Sequence, residues 1–136
     1  MSNKLFPSQV RGIVREGKLI GCTFSPQGTG TPVINAGNGI KSVVWNSTGN
    51  FTVTFQNQFR ALVAAVSSVQ LAVAAARFAQ ITSINVTGGG SGPQTCVIQV
   101  QDNAGNPEDI AAAGGTVTLL VYAKSAGVSY AAGKVE

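Results

Sequence analysis

Phe51-Thr52-Val53-Thr54-Phe55 decides the fold. Its apolar residues alternate strictly with threonine, so Phe51, Val53 and Phe55 share one face of an extended strand and the threonines the other. A helix would scatter the same three side chains around its axis. The period recurs in Thr95-Cys96-Val97-Ile98-Gln99-Val100-Gln101, where Cys96, Ile98 and Val100 line up. In Thr116–Ala123 it puts Val117, Leu119 and Val121 on one side, with Leu120 and Tyr122 on the other. Apolar residues on both faces indicate a strand buried on both sides or in a subunit contact.

Working outward, turn residues separate these runs: Pro26-Gln27-Gly28, Gly37-Asn38-Gly39, Thr48-Gly49-Asn50, the glycine-rich 88–92, Asp102–Pro107 and Gly114-Gly115. Between them the pattern predicts about eight strands, near 11–15, 18–25, 31–35, 39–46, 51–56, 60–68, 78–87 and 95–101, with 116–123 as a ninth. Short strands at this spacing indicate an all-β, single-domain antiparallel sandwich or jelly roll. The domain is expected over 11–125, between an extended N-terminal arm (1–10) and a C-terminal tail (126–136). One stretch fits less well. Residues 60–80 are alanine-rich, which favours helix, yet they hold valines and a Ser67-Ser68 pair and show no amphipathic stripe. The reading there is strand, a loop near 69–76, then strand, with a short helix over 69–76 as the alternative.

The chain has 136 residues, of which 44% are hydrophobic, enough to bury one core without metal or disulfide staples. Only 10% are charged, against about 25% in an average domain. The polar surface therefore comes from Ser, Thr, Asn, Gln and Gly, which cost little to desolvate when surfaces meet. The net charge of +4 is uneven: Lys4, Arg11, Arg15, Lys18, Lys41 and Arg60 face a single acid, Glu16, within the first sixty residues. These cations are too dispersed, and too little interleaved with aromatics, for a nucleic-acid surface. The longest apolar run, Ala61–Ile81, is broken by polar residues and is no membrane span. The start lacks the apolar core of a secretory signal, so the protein is expected to remain in the cytoplasm until assembled or released.

Catalytic and metal chemistry find little to work with. The sequence has no histidine, which removes the commonest general base and the commonest metal ligand. Cys22 and Cys96 match neither a zinc nor a redox motif, and they read as two buried thiols, with a single bridge as the alternative. Asp102, Glu108 and Asp109 lie in or beside one turn-rich loop, DNAGNPED. They read as a solvated turn; a calcium loop and a carboxylate-based glycan hydrolase are the rival readings, and the loop lacks EF-hand spacing. Gly88–Gly92 is followed by neither a Lys-Ser/Thr pair nor a helix, so it reads as a hairpin tip and not as a phosphate loop. Trp45, beside Val43 and Val44, reads as core or interface packing. No cofactor, metal or catalytic residue is expected.

The stretch GIKSVVWNSTGNFTVTFQNQFRALVAAVSSVQLAVA, with ARFAQITSINV, TCVIQVQDNAGNPEDIA and GTVTLLVYA downstream, resembles small virion proteins of tailed bacteriophages, of the capsid decoration or cement type. The resemblance rests on Gly39–Trp45, Gly49–Phe55 and Phe59–Val69 and covers residues 39–123. It implies a structural, non-enzymatic protein on the capsid exterior, present as a homodimer or homotrimer and clamping neighbouring copies of the major capsid protein. The basic arm supplies the expected shell contact, through Lys4, Phe6, Arg11, Arg15 and Lys18. A trimeric jelly-roll module of a head or tail fibre, involved in host attachment, is the alternative.

Overall fold

The computed structural model describes residues 17–57, 59–85 and 94–125. They form eight strands: β1 (Gly17–Gln27), β2 (Gly30–Asn38), β3 (Ile40–Ser47), β4 (Asn50–Phe55), β5 (Phe59–Leu71), β6 (Phe78–Asn85), β7 (Thr95–Gln101) and β8 (Gly115–Ser125). They build two four-stranded sheets, with order β2-β1-β8-β5 in sheet I and β3-β4-β7-β6 in sheet II. Every pairing is antiparallel. The expected strand at 11–15, the arm and the tail lie outside the described residues.

Of the two architectures left open by the sequence, the strand order is that of a sandwich. A jelly roll would pair the second strand with the seventh; here β2 pairs with β1, and β7 lies between β4 and β6. Hairpins stay within a sheet, and the chain changes sheet between β2 and β3, β4 and β5, β5 and β6, and β7 and β8. The first change takes a single residue, Gly39, whose φ of 81° suits glycine.

The alternation sets the core. Phe51, Val53 and Phe55 of β4 are buried, and so are Cys96, Ile98 and Val100 of β7. They face Ile20, Cys22 and Phe24 of β1 and Val117, Leu119, Val121 and Ala123 of β8. The rings of Phe24 and Phe51 meet between the sheets at 5.3 Å, tilted by 59°. Phe55 and Phe59 make an edge contact at 5.8 Å. Such pairs contribute about 1 kcal/mol beyond their buried area.

The alanine-rich segment is strand further than the sequence suggests. β5 continues to Leu71, and residues 72–77 connect it to β6 with no helix. Val69 and Leu71 pack against the core, opposite Val117 and Gly115 of β8, and this burial outweighs the helical preference of alanine. The thirteen residues of β5 pair along nearly the whole of β8.

Candidate functional site

The acidic loop is the first place to look for chemistry, and its carboxylates have structural partners. Asp102 accepts the backbone N–H of Ala104 (2.8 Å) and of Asn106 (2.9 Å), which closes the turn after β7. Those bonds, that of Asn106 foremost, hold its carboxyl below the usual carboxylate range. Glu108 meets Arg77 at 3.2 Å, tying the β5–β6 connection to the loop. Asp109 accepts the indole N–H of Trp45 (2.9 Å) and the backbone N–H of Gly49 (2.7 Å). Gly49 is itself enclosed: a Cβ there would lie 2.5 Å from the Val100 carbonyl oxygen, and its φ is 71°. Asp109 thus fixes the loop to the β3–β4 hairpin. No group of three or more metal-ligating side chains gathers among the described residues.

Both cysteines are buried and unbonded to each other. Burial pushes the Cys22 thiol up to about 11. Burial pushes Cys96 up to about 11 as well, and the neighbouring Cys22 adds to the effect. The thiol form is therefore favoured well above neutral pH, opposite to an activated nucleophile.

Gln94 is the one buried polar side chain in the described core. Its amide accepts the Phe59 N–H (2.6 Å) and donates to the Phe59 carbonyl (3.0 Å), as a neighbouring strand would. It secures the start of β5.

With the loop occupied structurally, the unspent surface is on the sheets. On the outer face of sheet I, Asn38, Gly21, Leu120 and Val66 stand in one row across all four strands. Leu19, Tyr122 and Ala64 form the next row, Thr23, Thr118 and Ser68 the one on the other side. Leu19 and Val66 are each 61% exposed and Leu120 43%. Gly21 has no side chain between its leucine neighbours, which leaves a trough of about 500 Å³ lined by Leu19, Gly21, Thr23, Ala36, Thr118 and Leu120. Among the described side chains, the one charge on this face is Lys124, at the end of the sheet opposite Gly17. Exposed apolar residues arranged contiguously, in contrast to scattered ones, mark interaction surfaces.

The outer face of sheet II has different chemistry. Thr52, Thr54, Thr95, Gln99, Gln101 and Gln80 are neutral, and several bond to neighbours: Gln99 to Asn50 at 3.1 Å, Gln101 to Gln80, and Asn46 to Thr52; Val44 and Phe78 are exposed among them.

Of the residues expected to touch a shell, Lys18 is on the described chain. It is exposed at the start of β1, where it pairs with Ala123 and so points to the opposite side of the strand from Leu19. Lys4, Phe6, Arg11 and Arg15 lie outside the described residues. Sequence reasoning had no view of the trough, because its lining is divided among β1, β2 and β8, which are distant in the sequence. Its local signal is the second apolar face of β8, Leu120 and Tyr122, which the alternation read as double burial or a subunit contact. No helix among the described residues is long and apolar enough to cross a membrane. No family model, curated protein or solved structure matches the chain.

Proposed function

We propose that the chain is a non-enzymatic structural protein of a tailed-phage virion, which binds the outside of the capsid and cements neighbouring capsomers. The observation that supports this reading best is the outer face of sheet I: an apolar surface spanning four strands, with few charges among its described side chains. Its chemistry suits contact with another protein, whereas the acids that hydrolysis would need are engaged in holding the loop. The resemblance of residues 39–123 to decoration proteins supplies the identity of the partner, the major capsid protein. In this reading Lys4, Phe6, Arg11, Arg15 and Lys18 anchor the arm on the shell, and the sheet I face follows it down. Many copies on a symmetric lattice add avidity to a modest single contact, and a protein that binds only the expanded lattice stabilises that state by mass action.

The test is co-sedimentation of the full chain with expanded and unexpanded heads. Binding to expanded heads alone is the expected result. Deleting residues 1–12 should abolish it while leaving the circular dichroism spectrum intact. Gly21→Val should weaken it at least tenfold with little change in Tm, since a Cβ at Gly21 meets only ordinary contacts, at 3.4 and 3.5 Å. Undiminished binding by the truncated protein would remove the arm from the reading, and undiminished binding by Gly21→Val the sheet face. Failure of the full chain to bind either head would remove the capsid.

A further inference from the structure

β5 forms one edge of sheet I and hydrogen-bonds to a single described strand, β8. A sheet edge presents a row of N–H and C=O groups ready to pair with another chain, and natural proteins blunt such edges with charge, proline, bulges or short length. β5 uses none of these over its second half. It is thirteen residues long, against a usual five or six or so. Its two register shifts both fall before Ala64, and from Ala64 to Leu71 the pairing with Tyr122–Gly115 is uninterrupted. No charged residue and no proline occurs between Ala61 and Ala76.

The other edges are better defended. β2, opposite β5 in sheet I, contains Pro32 and two register shifts. β3 carries Lys41 and also has two shifts. β6 has eight residues, a shift between Ile81 and Ser83, and Arg77 just before it. The undefended edge is therefore a particular stretch and no general property of the sandwich.

We propose that Ala64–Leu71 is a self-association seam, where the β5 edges of two copies pair antiparallel about a two-fold axis and join the two sheets I into one sheet of eight strands. A second copy fits this edge better than a foreign strand because of its neutrality. A two-fold operation brings each stretch against itself, and a charge in it would meet its own sign. Here the operation sets alanine, valine, serine, glutamine and leucine against the same set, with Ser67 and Ser68, both small, at the middle. The axis lies perpendicular to the sheet, so outer face continues into outer face. Val66, 61% exposed, then stands near its symmetry mate, and the apolar rows of two copies run together. The pairing does not depend on the capsid reading.

Sedimentation velocity of the full chain at tens of micromolar should give a dimer. Ser68→Lys, at an exposed position on the outer face, sets two ammonium groups close to the axis. It should weaken the dimer at least tenfold with unchanged circular dichroism. Val33→Lys, on the β2 edge, should leave the dimer intact. Hydrogen exchange of the unmodified protein gives a reading free of any folding defect: amides within Ala64–Leu71 that point away from β8 should be protected at high concentration and lose protection on dilution. A monomer throughout the range, a trimer, a Ser68→Lys dimer with β5 still protected, or dissociation by Val33→Lys would each overturn the seam.

Discussion

Asp109 shows how much of this molecule depends on single polar contacts between distant parts of the chain. Its carboxylate holds both Trp45 and Gly49, sixty residues or more away in sequence. Removing it leaves the N–H of an enclosed glycine without a partner, and an unmet buried donor costs about 1–3 kcal/mol. Asp109→Ala should therefore lose about 2 kcal/mol of stability in urea unfolding and shift Trp45 emission to the red; Asp109→Asn, which keeps an acceptor oxygen, should lose less. The sequence placed Trp45 in packing and the acids in a solvated turn, which describes Asp102 but not the half-buried Asp109, and gave no sign that Asp109 holds Trp45. Spacing along the chain carries such information only when partners are local, as in the Asp102 turn. The cysteines make a second prediction at this scale. Their folded values lie above the ordinary thiol value of 9.0, at about 11. Their contribution to stability is thus fully present below pH 9 and is lost as pH rises toward 11. Thiol labelling of the native protein should be slow at pH 8, accelerate across that window, and be rapid at pH 8 once the protein is unfolded.

At the scale of elements, strand type was legible almost everywhere because a sandwich buries one face of each strand, and period-two alternation records that directly. β5 was the exception, and the reason is physical. As an edge strand it buries little, so its inner residues, Ala65, Val69 and Leu71, are small or only partly covered, and the contrast between its faces fades. Its boundary with the following connection is set by β8, whose partner residues lie beyond the reach of any local pattern. The connection itself, 72–77, is exposed from Ala72 to Ala76. Inserting four Gly/Ser residues between Ala74 and Ala75 should leave Tm nearly unchanged, since lengthening an exposed loop adds well under 1 kcal/mol of closure entropy. The same insertion after Gly49 should unfold the protein or lower Tm sharply, because the Gly49 carbonyl binds Val100 N–H at 2.7 Å and its own N–H binds Asp109. Comparison of the two melting curves checks both statements.

At the scale of the whole molecule, the sequence determined the class of fold but left the sheet order open. The same eight alternating runs satisfy a jelly roll and this sandwich equally, since both present one apolar face per strand. The candidate surface was hidden for a related reason: a face assembled from four strands is visible only once their order is known. Its chemistry separates two modes of attachment. A contact made by the basic arm releases counterions and weakens as salt rises, while one made by the sheet I face buries apolar area and does not. If the proposed capsid contact uses both, binding to heads measured between low and high ionic strength should fall, then level off at a remainder supplied by the sheet face. A fall to zero would assign the contact to the arm alone.

The occupied carboxylates have a consequence that extends past the loop they hold. With no histidine in the sequence, with Asp102 held below the ordinary acid range and with both thiols displaced upward, these side chains leave the interval around neutrality empty of proton exchange. Across that interval the Asp102 turn and the two buried thiols keep the same charges and the same contacts, so whatever loosens these parts of the fold has to act by force, heat or competition.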